Sequence, residues 1–136
     1  IVARPSQLYG IDVSAENVPS MIDELPLLAC VAARANGITT VRGARELRVK
    51  ESDRITTIVR NLNALGASAR EFDDGFEIVG SRVALTGRVG TKGDHRIAMS
   101  FGILGALPEN RITMDEPDCV GVSYPAFWAD LHGVRQ

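Results

Sequence analysis

Three short stretches of the 136-residue chain concentrate the side chains that could do chemistry. They are Asp23-Glu24, Arg48-Val49-Lys50-Glu51-Ser52-Asp53-Arg54 and Gly93-Asp94-His95-Arg96, and each leads into an apolar run that reads as a helix. Arg54 and Arg96 therefore fall in or beside a first helical turn. A cation there opposes the positive end of the helix dipole, at a cost of about 0.3–1 kcal/mol if unpaired. A bound anion reverses the sign, because free backbone N–H groups and guanidinium then point at the same charge. Phosphate or carboxylate is the natural candidate. For either arginine alone a local ion pair is the favoured explanation, Arg54 with Glu51 or Arg96 with Asp94. The two together, with Lys50 and His95 beside them, favour a shared anion.

Glu51 reads as a proton-handling group. Steps of four, seven and eleven from it reach Ile55, Ile58 and Leu62, so it extends the apolar stripe of its helix to the very end. A carboxylate at the edge of a core is partly desolvated, which favours its neutral form and lets it hold and pass on a proton. The alternative is a first-turn acid that merely complements the helix dipole. Asp53 instead aligns with Thr57 and Arg60 on a polar face. Asp94 and Asp23 are most simply N-caps. His95 can donate to a ligand oxygen or serve a structural role.

The elements that must position these groups follow from periodicity. A short strand-like segment lies within residues 1–14. A buried helix spans Ile22–Ala35, with Pro26 in its first turn and Asn36-Gly37 after it. Ile38–Val41 is a β-branched strand. Residues from Glu51 to Leu65 form an amphipathic helix closed by Gly66. Two strands, Ala69–Phe72 and Phe76–Val79, flank the turn Asp73-Asp74-Gly75. Val83–Leu85 reads as a strand, and His95–Leu107 as a helix apolar nearly all round, hence buried. Arg111–Met114 is a strand and Pro125–Leu131 a last short helix. The order β-α-β-α-β-β, then β-α-β-α, predicts an α/β (α+β) fold whose second half repeats the first.

Composition excludes several classes. Apolar residues make up 45%, charged residues 24% and aromatics 5%, with a net charge of −2 and signs mixed along the chain. No basic patch or stacking platform points to nucleic acid. No apolar run approaches the ~20 residues of a membrane span, and the first residues do not read as a signal peptide, so none is expected. Ile1 in place of Met points to processing or to a start inside a longer protein. Cys30 and Cys119 are too far apart for a zinc site, and Cys30, inside an apolar run, reads as a core residue; the expected setting is reducing and cytoplasmic. Neither a P-loop, a dinucleotide fingerprint, a metal motif nor a serine-hydrolase pattern is present.

Four segments in this order and spacing resemble the motifs of the 5-enolpyruvylshikimate-3-phosphate synthases. They are Ile22-Asp23-Glu24-Leu25-Pro26, Glu46 through Arg54, Gly93 through Met99, and Ser123-Tyr124-Pro125 with Phe127. The resemblance runs from about Leu8 to Leu131. It implies the enolpyruvyl-transferase fold, β-α-β-α-β-β units around buried helices, with residues 1–136 forming one partial domain of about one and a half to two units. It also implies transfer of the enolpyruvyl group of phosphoenolpyruvate to the 5-hydroxyl of shikimate 3-phosphate, with release of phosphate and no cofactor. By motif position Asp23 would be acid/base near that hydroxyl, and Lys50 would contact shikimate 3-phosphate and assist proton transfer. Glu51 would handle the proton at the methylene carbon. Arg54 and Arg96, supported by His95, would hold phosphoenolpyruvate. The resemblance further implies a missing N-terminal domain that completes the cleft. One departure is Val122, where some members carry a lysine. Two alternatives remain: a non-catalytic anion-binding domain of the same fold, or a relative of UDP-N-acetylglucosamine enolpyruvyl transferase, which shares the fold but lacks the Lys-Glu-Ser/Thr-Asp-Arg and Asp-His-Arg pair.

Overall fold

A computed structural model describes residue 2 and residues 4–134. Strand β1 (Asp12–Val13) leads through helix α1 (Leu25–Ala32) to β2 (Ile38–Val41), and β1 and β2 pair in parallel. Helix α2 (Arg54–Ala64) follows, then the hairpin β3 (Ser68–Phe72) and β4 (Gly75–Val79). β4 also pairs antiparallel with β2, giving a four-stranded sheet in the order β1-β2-β4-β3. The plan then restarts. β5 (Thr86–Val89), helix α3 (His95–Gly105) and β6 (Arg111–Met114) form a second parallel crossover, and helix α4 (Phe127–Gly133) follows. Even the 3-10 turns repeat, with Arg45–Val49 between β2 and α2 and Pro117–Val122 between β6 and α4. The expected element order is therefore found, and β5-α3-β6-α4 repeats the order β1-α1-β2-α2 without the hairpin that follows it.

Local physics sets the boundaries. Helix α1 starts later than Ile22, because a 3-10 turn at Val18–Met21 precedes it and Pro26 sits in its first turn. The α2 helix starts at Arg54 rather than Glu51. The carboxylate of Asp53 accepts the Thr56 N–H at 3.1 Å and closes the helix end there. Gly66, at φ +94°, ends the same helix in a conformation that favours glycine. In the hairpin, a Cβ at Gly75 would sit on the Val41 carbonyl oxygen, so glycine lets β2 and β4 approach. The strand expected at Val83–Leu85 begins instead at Thr86. Gly87 hides the strand signal, yet a Cβ there would come 3.1 Å from the Ala64 carbonyl oxygen, so α2 packs closely on β5. The last helix lies two residues beyond its expected place, with Pro125 ahead of it rather than in its first turn.

One core joins both halves. Leu25, Ile55, Ile58, Leu62, Phe76, Ile97 and Phe101 are fully buried in it, and Cys30 is buried as expected. Burial raises the Cys30 thiol far above its usual range, which keeps it an inert, neutral packing group. Helices α1 and α3 pack side by side. Their outward faces leave an apolar hollow of ≈ 200 Å³ lined by Leu27, Val31, Ile103, Leu104 and Leu107. Among the described residues no helix is long and apolar enough to cross a membrane.

Candidate active site

The site is built on the N-terminal ends of α1, α2 and α3. At the start of α2, Arg48 fixes the entry angle. Its guanidinium donates to the carbonyls of Phe72 at 2.7 Å and Asp73 at 2.8 Å, and pairs with Asp53 at 2.9 Å and Glu71 at 2.9 Å. The β3–β4 hairpin, the 3-10 turn and the α2 cap are thereby tied together. Burial pushes the Asp53 carboxyl up, but the Thr56 amide and Arg48 more than offset this and hold it below its ordinary value.

Arg54, the first residue of α2, has a side chain only 1% exposed, and Asp94 beside it is wholly buried. The guanidinium meets Asp94 through two edges, Nε to Oδ2 at 2.9 Å and Nη2 to Oδ1 at 3.3 Å. Asp94 is also the N-cap of α3, as expected, accepting from the backbone N–H of Arg96 at 3.0 Å and of Ile97 at 3.4 Å. The Ser52 hydroxyl donates to it at 2.9 Å. Burial alone would raise the Asp94 carboxyl; Arg54 first, then Ser52 and the Arg96 amide, bring it below the ordinary carboxylate value. One carboxylate thus locks the starts of α2 and α3 together. Among the described residues every buried side-chain polar atom has a partner.

The outer rim of this lock is open to water. Glu51 Oε2 lies 2.6 Å from Arg54 Nη2, and Asp23 Oδ1 lies 3.2 Å from Arg54 Nη1. The other Asp23 oxygen is 3.1 Å from Arg96 Nη2, and Arg96 also donates to the Asp23 carbonyl at 3.2 Å. The side chains of Asp23 and Glu51 are 40% and 51% exposed. Asp23 therefore bridges two guanidinium groups. It is not the N-cap of α1: Glu24 holds that position, with no side-chain cap bond. Glu51 also differs from the sequence expectation. It lies ahead of α2, half exposed, and does not continue the buried stripe. Of the two local pairs considered, Arg54–Glu51 forms, whereas Arg96 pairs with Asp23 in place of Asp94.

Hollows lie on both sides of this rim. One, of ≈ 220 Å³, is lined by Asp23, Arg96, Tyr124 and Phe127. The other, of ≈ 380 Å³, is lined by Glu51, Ser52, Arg60, Asn61 and Lys92. Chemically, the guanidinium groups present outer edges capped by exposed carboxylates. An entering phosphate or carboxylate competes for those edges, and a displaced carboxylate is left beside the ligand as a proton acceptor. Asp23, Glu51, Arg54 and Arg96 are brought together. Lys50 stands aside, its Nζ on Glu46 Oε1 at 2.6 Å. His95 opens α3, half-buried, next to Arg96. Sequence reasoning missed the parts played by Ser52, Arg48 and Lys92, and saw in Asp94 a cap or a partner of Arg96, not of Arg54. The overlooked signal was that Asp94 and Arg54 each start a buried helix, so a single ion pair could join them.

A scan of protein families matches residues 1–131 to EPSP synthase (3-phosphoshikimate 1-carboxyvinyltransferase). The chain is 50% identical over 132 residues to the 3-phosphoshikimate 1-carboxyvinyltransferase of Aquifex aeolicus, a match covering 96% of this chain and 31% of that protein. It is 49% identical over 130 residues to the same-named protein of Sulfurihydrogenibium sp., covering 96% and 30%. The solved EPSP synthase of Acinetobacter baumannii superposes with a TM-score of 0.85 at 36% identity, over 95% of this chain and 30% of that one. The chain thus spans about a third of the length of these relatives. With the family match covering all three helix starts and the fold superposing over nearly the whole chain, the chain belongs to the EPSP synthase family.

Proposed function

We propose that the chain forms one wall of the active-site cleft of a 3-phosphoshikimate 1-carboxyvinyltransferase, as a partial domain completed by the part of the enzyme it does not span. The reaction joins the 5-hydroxyl oxygen of shikimate 3-phosphate to C2 of phosphoenolpyruvate while a proton adds to the methylene carbon. Loss of a proton from the resulting methyl group and departure of phosphate then regenerate the double bond. Such chemistry needs anion clamps and a positioned acid and base.

In this reading Arg54 and Arg96 hold the phosphate and carboxylate of phosphoenolpyruvate, with His95 in support. Glu51 moves the proton at the methylene carbon. Asp23 acts at the 5-hydroxyl, and Lys50 turns from Glu46 to shikimate 3-phosphate. The observation that carries the reading is the Asp23 bridge, with both guanidinium groups on one exposed carboxylate and Glu51 on the same arginine. A proton-handling pair so placed lies within reach of one bound anion. Charged, phosphorylated substrates that do not cross membranes set the reaction in the cytoplasm, in the making of aromatic precursors.

The test joins the chain to the portion of the Aquifex aeolicus relative that it does not cover, and follows phosphate release from both substrates. Turnover by the joined enzyme and none by the isolated chain is the expected result. Robust product from the isolated chain would overturn the half-cleft reading. A folded but inert joined enzyme would favour a non-catalytic anion-binding domain.

A further inference from the structure

Lys92 has φ 57°, and among the described residues no other non-glycine residue has a positive φ. A side chain there carries a steric cost that glycine would avoid, and such outliers persist only where their surroundings over-determine them. The surroundings do so here. Asn61 clamps Gly90 through two bonds of 2.9 Å, from Nδ2 to the carbonyl and from the Gly90 N–H to Oδ1. The buried Thr91 donates both its N–H and its hydroxyl to Asp115 at 2.8 Å. The Asp94 N–H then returns to the Thr91 carbonyl at 3.0 Å. A rigid frame thus holds a lysine at the tip of a turn where glycine would fit more easily. That lysine lines the ≈ 380 Å³ hollow which Glu51 also borders.

Charge around this hollow is unevenly matched. Of its acids, Glu51 is taken by Arg54 and Asp53 by Arg48. Its cations, Lys92 and Arg60, are exposed and, among the described residues, form no ion pair. Hydroxyl and amide groups of Ser52, Thr56, Thr57 and Asn61, with Gly90, complete the lining. We propose that Lys92 is a further substrate-binding residue of this site, its ammonium holding a phosphate or carboxylate oxygen of a substrate seated against Glu51. The proposal rests on the function proposed above, and it places an anion contact in a hollow that Glu51 borders and Arg96 does not.

Lys92→Gly suits the backbone and removes the charge, while Lys92→Arg keeps the charge. In the joined enzyme, Lys92→Gly is expected to raise KM for one anionic substrate about tenfold or more, the loss of a charge-assisted contact, with kcat little changed. Its melting temperature should hold or rise, and Lys92→Arg should recover most of the KM. Which KM moves, that of phosphoenolpyruvate or of shikimate 3-phosphate, tells which substrate supplies the oxygen. An active wild type with both KM values unmoved in Lys92→Gly overturns the proposal and leaves the function standing. If the wild type does not turn over, the function falls instead, and Lys92 is judged on inorganic phosphate by calorimetry. Equal affinity of wild type and Lys92→Gly would then overturn it.

Discussion

Asp94→Ala should destabilise the chain by about 3–5 kcal/mol, the largest stability loss expected of a polar substitution here. The reason is the imbalance left behind. Arg54 is only 1% exposed, and its Nε and half of its Nη2 would lose their acceptor. The first-turn N–H groups of α3 and the Ser52 hydroxyl would lose theirs as well. Asp23 and Glu51 reach only the outer edge of the guanidinium and cannot follow it inward. Urea unfolding followed by circular dichroism measures the loss. A change below about 1 kcal/mol would mean that Arg54 escapes to water and that the lock is not the brace described here.

The same carboxylate sets a pH dependence. Its folded-state value lies below the ordinary one, so its stabilisation is complete above the unfolded value, about pH 3.9, and fades as pH falls through the folded value. Asp53, Asp74 and Asp115 are depressed too and act in the same window. The chain should therefore lose stability steeply in acid below about pH 4, and Asp94→Ala should soften that slope without abolishing it.

In the joined enzyme Glu51→Gln is expected to lower kcat by about 10²–10⁴-fold, the usual contribution of a positioned proton-transfer group. Asp53→Asn, two residues away, should cost no more than a few-fold. Asparagine caps a helix as well as aspartate does, and the partly exposed pair with Arg48 contributes at most about 1 kcal/mol. Glu51 faces the hollow with its carboxylate on a guanidinium edge that a ligand can contest. Asp53 is fully engaged by Thr56 and Arg48. Phosphate-release kinetics on both variants decide the matter, and equal losses would remove Glu51 from its proposed role.

Periodicity alone located α2 and α3 and the strands Ile38–Val41 and Arg111–Met114, because apolar spacing and β-branching act locally. The grouping of Arg54 and Arg96 was also legible, since a cation at a helix start is locally unfavourable and demands a partner. What could not be read was which partner. Asp23 lies 31 residues from Arg54 and Asp94 lies 40 away, and only the side-by-side packing of α1 and α3 brings them to one point. Glu51 was misplaced for a local reason: Asp53 is the better cap, and it ended the helix before the apolar stripe could be carried further. Lys92 went unnoticed because no pattern marks a backbone angle.

The hollow between α1 and α3 bears on how this polypeptide behaves when it is by itself. Val31 and Ile103 stand 38% and 39% open to solvent on these two helices, with leucines around them. A greasy strip, rather than a scatter of lone apolar residues, is what draws one copy onto another. Clustering that grows with protein concentration and recedes when Val31 and Ile103 are replaced by charged residues is the colloidal signature such a seam imposes. In sedimentation it would be seen as a drift in apparent mass with no change in secondary structure.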